Sequence, residues 1–314
     1  MDRPADGSTS PGQAASTLAS MEEAEAPDPQ PAAPPEPPVL PPPSSQATPP
    51  TPSEAIAAIR IRAPTRGNRK LDQLFDAVNA DPQVKAWWHM AGVNAARLEL
   101  TDHSWVHVQI VTNIALRLGR LLFRRGIVPA MVSDHRMTER DAEVVIAAAA
   151  LFHCVGMSIH RTDHEGYSLF LTADKLGGLL AGVYAEPERS VVVAEAMHGV
   201  ISHRSRGNPL TIEGAIVRVA DALDMAKGRS RVEFEAGRLD IHSISAYAID
   251  EVRISAGEET AIRIEIEMSN SAGIFQVDEG LGAKLRGTPL AEHIEVIARI
   301  EGEHEKRLVP VFRL

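Results

Sequence analysis

Eight of the twelve histidines in this chain of 314 residues lie from position 103 to position 203, and seven of them fall within helical pattern: His103, His107, His153, His160, His164, His198 and His203. A buried neutral imidazole needs one donor and one acceptor, and an apolar interior cannot supply seven such pairs. A shared metal centre satisfies many of them at once, because imidazole nitrogen suits Zn, Fe, Mn or Ni. Cations for an anionic group are at hand in Arg161, Arg204, Arg206 and Arg218, and in Lys227, Arg229 and Arg231 beyond. The fork of arginine matches phosphate oxygens, and Arg161 and Arg204 carry most weight because they abut His160 and His203. Lys227 to Arg231 has a second reading, as cations complementing the dipole at a helix C-terminus.

The elements that must position these residues read as helices from Arg66 to about Met225. Val111, Ile114, Leu118 and Leu121 follow at three- and four-residue steps on the face that carries His107. Glu139 to Phe152 is apolar almost all round, which predicts a helix inside a core, and Gly156 breaks it. Glu188 to His203 predicts another helix. Thr211 is placed to cap a further one running to about Ala226, with Glu213 in its positive first turn. Trp87 and Trp88 read as anchors of the first helices to the core rather than as a binding platform.

The order and surroundings of the histidines resemble the HD-domain superfamily of metal-dependent phosphohydrolases. Asp102-His103-Ser104-Trp105-Val106-His107, followed by Val111 and Ala115, is similar to its first motif. His153 at the end of an apolar helix, followed by Cys154-Val155-Gly156-Met157, is similar to its His-Asp-Ile-Gly signature. His164 with Glu165 and Ser168, His198 after Ala194-Glu195-Ala196-Met197, and Asp221 within Val217 to Met225 resemble the remaining three.

The resemblance covers about residues 66–231. It implies that His107, His153 and Asp221 hold one divalent ion, of Mn, Fe, Zn or Mg, with His164 and His198 completing a second position. His153 and Asp221 would stand at the catalytic centre. A bound ion of this kind lowers the pKa of water and neutralises phosphoryl charge. The implied reaction is hydrolysis of a phosphate ester of a nucleotide or another small phosphorylated metabolite. His103, His160, Arg161, His203 and Arg204 are expected to support the ligands or contact substrate, and Asp224 to orient a ligand. Gly214 and Val217 make the Asp221 face small and apolar, compatible with close approach of substrate.

Cys154 departs from the pattern, which has an aspartate there. A thiolate ligates soft metals, whereas a protonated thiol is a small hydrophobe, and both readings stay open. Two rivals stay open: a nucleotide-binding regulatory protein without turnover, and a metal-dependent oxygenase of the same fold, as some members the resemblance points to are.

The expected architecture is mainly α: an HD-type helical domain over 66–231, a small C-terminal α+β domain over 232–314, and a disordered proline-rich tail over 1–65. Sixteen of the 22 prolines lie in the first 64 residues, a composition too poor in apolar surface to offset ordering entropy. After Arg231 the period shifts towards two. Ala261 to Met268 alternates strictly as a strand with one wet face, and Val252–Ser255, Gly273–Val277, Ile294–Ile300 and Arg307–Phe312 are weaker strand candidates around a short helix at Gly280–Arg286. The strands offer a surface for a homo-oligomer or, equally, a wall that closes the active site.

Net charge is -10, but eight acids against Arg3 in residues 1–56 account for -7 of it, so the rest of the chain is nearly neutral. An anionic substrate is therefore not excluded, and no dense basic stripe points to nucleic acid. The single cysteine, the absence of an apolar segment after Met1-Asp2-Arg3 and the shortness of the longest apolar run, Val144–Phe152, predict a cytoplasmic protein without a membrane span.

Overall fold

The computed structural model describes residues 50–204, 206–226, 241–300 and 311–313. The described residues form one compact unit. The proline-rich stretch up to position 49, the cations from Lys227 to Arg231 and the expected domain junction at 231/232 lie outside the described residues.

The centre of the unit is α6 (Glu139–Phe152), in which every residue from Val144 to Phe152 is buried. Its N-terminus is fixed by a capping box: the Thr138 hydroxyl accepts from the Asp141 amide, and Asp141 accepts from the Thr138 amide at 2.9 Å. Asp141 also accepts from Lys70 and from the Tyr184 hydroxyl, at 2.7 and 2.8 Å, so one buried carboxylate joins three parts of the chain. Around α6 stand α2 (Arg69–Ala80), α4 (Trp105–Arg124), α8 (Glu188–Ser202) and α9 (Ile212–Leu223). These neighbours account for the apolar surface of α6. The helix α3 (Pro82–Arg97) brings in Trp88, fully buried, whose indole N–H donates to the Leu151 carbonyl at 2.9 Å. Thr211 caps α9 through the Gly214 amide. Glu213 does more than face a dipole: it is buried and accepts from the amides of Ala130 and Met131, at the start of the short α5 (Ala130–Ser133).

The described structure includes part of the stretch expected to be tail. Helix α1 (Pro52–Ala58) opens on a capping box between Thr51 and Glu54, and Ile59 and Ile61 behind it are buried in the core. Asn79 brackets Ile61, accepting from its amide at 2.8 Å and donating to its carbonyl at 2.9 Å. Two alternating isoleucines are too short a signal to separate from the low-complexity sequence before them.

The C-terminal part is a four-stranded sheet in the order β1 (Ile249–Ala256), β2 (Ile262–Met268), β3 (Ile294–Ile300), β4 (Val311–Arg313). In β2 the isoleucines 262, 264 and 266 and Met268 are buried, while Arg263 and Glu265 pair across the wetter face with Glu295 and Arg299. The strand expected at Gly273–Val277 is instead helical: Gly273–Phe275, a wider π-helical piece Gln276–Gly282, and Ala283–Leu285 follow one another. The reason lies in the topology. β2 and β3 run parallel, a pairing no hairpin can make, so a crossover must connect them. The helical stretch provides it, burying Val277 and Leu281 at a four-residue step.

Candidate metal centre

Four elements deliver the histidines to one place. Ser104 caps α4, and the first turn of that helix carries His107 inward. His153 is the residue that ends α6. The 3-10 turn after it, Val155–Ser158, packs so tightly on α7 (His164–Leu179) that a side chain at Gly156 would overlap the His164 carbonyl. Ser168 ties the two together, accepting from the Gly156 amide and donating to the His153 carbonyl, both at 2.9 Å. His203 ends α8.

Five imidazoles close a ring. Centroid separations are 5.5 Å for His103 and His107, 5.1 Å for His107 and His153, and 5.0 Å for His153 and His203. The circuit returns through His164, 5.6 Å from His203 and 6.3 Å from His103. All five are buried.

The protonation pattern follows from the partners. His107 Nδ1 faces the Asp224 carboxylate at 2.6 Å and His153 Nδ1 faces the Ala150 carbonyl at 2.7 Å. His103 Nδ1 faces the Thr101 carbonyl at 2.7 Å, and His203 Nδ1 that of Val200. These oxygens only accept, so each Nδ1 carries a proton towards its partner and Nε2 is the second ring nitrogen of each. Two such nitrogens, Nε2 of His107 and of His153, stand 3.1 Å apart. Two ring nitrogens this close need a proton or a metal ion between them. Asp221 Oδ1 is 3.4 and 3.8 Å from the same two nitrogens and offers the third donor.

Among the described residues, two groups of side chains could hold a metal ion: His107, His153 and Cys154, and His164, Glu165 and His203, with ligand atoms within 4.8 Å of one another in each. Burial pushes the Cys154 thiol up, but the charge of His153 and hydrogen bonds from His107 and His153 outweigh it and hold the group at about 6. Burial lowers the His164 imidazole to about 4 against the pull of Glu165, and it holds His203 well below its ordinary value. Both rings are therefore neutral near pH 7, the form in which a metal accepts them.

A cavity of about 370 Å³ opens on this ring. Arg161 and Arg204 line it, as does Lys284 of the C-terminal part, paired with Asp221 Oδ2. Arg218 is not a phosphate contact of the kind the sequence suggested. It is buried, and donates to the carbonyls of Lys284 and Ser202 at 2.9 and 3.3 Å and to that of Arg204. It thereby fixes the segments on either side of the cavity.

His198 and His160 stand outside the ring. The His198 ring accepts from the Leu210 amide at 2.9 Å and lies over Gly214, where a Cβ would approach its Nε2 to 3.3 Å. Gly214 thus admits a histidine rather than a substrate. His160 is exposed and accepts from the Thr162 amide. The structure brings together His103, His107, His153, Cys154, His164, His203 and Asp221, and adds Glu165 and Lys284. Glu165 was adjacent to a singled-out histidine; Lys284 carried no local signal.

Over 231 residues the chain is 36% identical to the uncharacterized protein MJ1020 of Methanocaldococcus jannaschii, which covers 73% of this chain and 89% of the archaeal one. No protein-family model and no solved structure matches the chain.

Proposed function

The chain belongs to the family of that archaeal protein, and we propose that it is a metal-dependent phosphohydrolase of the HD type, acting on a phosphate ester of a nucleotide or similar small metabolite. The observation that carries this reading is the pair of Nε2 atoms of His107 and His153, 3.1 Å apart with both Nδ1 protons committed elsewhere. With Asp221 Oδ1 beside them, the donor set of two imidazoles and a carboxylate fits a divalent ion. Such an ion supplies Lewis-acid activation of water and neutralisation of phosphoryl charge. Cys154 adds a soft donor that favours Zn or Fe over Mg.

The chain's own residues do the rest. Asp224 holds the His107 ring in one tautomer and one orientation. Arg161, Arg204 and Lys284 face a cavity of a size that suits a nucleotide and draw an anionic group towards the histidines. A cytoplasmic setting belongs to the same proposal, since a buried thiol at a working site needs a reducing environment.

The test is metal analysis of purified protein together with a panel of phosphate esters. We expect retained divalent metal and phosphate release that stops on chelation. Cys154 favours one alternative, a nucleotide binder with little turnover; tight nucleotide binding without product would select it. Oxygen consumption with an iron-loaded protein would select an oxygenase, and protein that takes up no metal would remove both metal-dependent enzymes.

A further inference from the structure

The edge of the centre already contains a cation, and it comes from the other end of the chain. Asp221 turns Oδ1 towards His107 and His153 and gives Oδ2 to the Lys284 ammonium. The placement of Lys284 is built rather than incidental. Its backbone carbonyl accepts from Nε of Arg218 at 2.9 Å, and Arg218 sits one turn before Asp221 on α9. The same guanidinium donates to the carbonyls of Ser202 and Arg204, which flank His203. The Lys284 side chain is 19% exposed and lines the cavity with His164 and His203. Its charge is among the influences that keep the His203 ring neutral, so it is felt on the second group of candidate ligands as well.

We propose that Lys284 is a resident cation that limits this centre to one tightly held metal ion. It occupies the outer oxygen of Asp221, through which the carboxylate would otherwise bridge to an ion at His164, Glu165 and His203. A fixed positive charge in the same cavity, felt at His203, also repels a dication directly. The tight position is then the one made by His107, His153 and Asp221 Oδ1. This inference rests on the metal-centre reading above.

The experiment is reconstitution of metal-free, full-length protein with Mn²⁺ and with Zn²⁺, reading stoichiometry by elemental analysis and affinity by calorimetry. Wild type is expected to hold about one ion per chain tightly. Lys284→Met removes the charge and keeps the bulk; it is expected to bind a second ion at least about tenfold more tightly than wild type does. Lys284→Arg keeps the charge and should stay at one. Matching melting temperatures of the metal-free proteins show that the variants fold alike. Two ions of similar affinity in wild type, or one in both wild type and Lys284→Met, would overturn the role of Lys284 and leave the metal centre standing. No metal in wild type would overturn the centre, and the inference with it.

Discussion

His107 and Asp224 are 117 residues apart in the chain, and their side chains meet at 2.6 Å in the interior. Asp224 ends α9 one turn after Asp221, so one helix terminus carries both the carboxylate that faces the Nε2 atoms and the one that holds the His107 ring from behind. A carboxylate behind an imidazole fixes its tautomer and raises its basicity. Asp224→Ala is therefore expected to weaken metal binding about 10- to 100-fold while leaving the ligands in place, whereas His107→Ala should abolish it. Metal titration separates the two, and equal losses in both variants would deny Asp224 its orienting role.

Cys154 is buried in contact with the two most enclosed histidines, and its thiol is held at about 6. Replacing it with aspartate exchanges a soft donor for a hard one. Cys154→Asp is expected to shift preference from Zn²⁺ towards Mn²⁺ and to raise phosphate release with Mn²⁺. In the cobalt-loaded protein the sulfur-to-metal charge-transfer band should be present for wild type and absent for Cys154→Ser. A wild-type protein without that band would make Cys154 a packing residue.

Asp141 lies at the other end of α6 from His153 and gives stability a pH dependence of its own. Burial pushes its carboxyl up, but hydrogen bonds from Lys70, Thr138 and Tyr184 outweigh it and hold the group below the usual aspartate range. A depressed acid stabilises the fold fully above its unfolded pKa, about 3.9, and loses that contribution as pH falls through the lower folded value. Asp141→Asn should cost about 1–3 kcal/mol at pH 7, and the gap to wild type should narrow below about pH 4. Denaturant melts at pH 7 and at lower pH measure it; a gap that is constant across the range would contradict the linkage.

Ile61 tests where the fold begins. It is 1% exposed and its backbone is bracketed by Asn79. Ile61→Ala is expected to destabilise by about 2–5 kcal/mol, the cost of a cavity in a packed core. Truncation of residues 1–64 should destabilise at least as much as that, while truncation of residues 1–48 should leave the melting temperature within about a degree or two.

What the sequence makes legible here is periodic or local. The apolar run of α6, the alternation of β2 and the concentration of histidines in the helical region all lie in short windows, and local patterns can carry them. The choice between His198 and His203 is different. Both sit at the end of α8, which is apolar on more than one side, so periodicity does not say which side faces the other histidines. The structure turns His203 inward and gives His198 to the Leu210 amide. Lys284 is further from reach still: 63 residues separate it from Asp221, and its own neighbourhood reads as an ordinary helix end. Gly273–Val277 failed as a strand for a related reason, because the parallel pairing of β2 with β3 is decided by partners distant in the chain.

The ring of imidazoles also has a place in time. His107 and His153 are 46 residues apart, and both reach Asp221 only when α4, α6 and α9 have docked. Contacts of such sequence separation carry a loop-closure cost that contacts within one helix do not, so the centre is expected to assemble after its helices. A nascent or heat-loosened chain offers scattered histidines, and only the completed chain offers a chelate. Any ion that binds there acts as a seal on the finished molecule, raising its midpoint of unfolding with the logarithm of free metal and leaving its rate of folding unchanged.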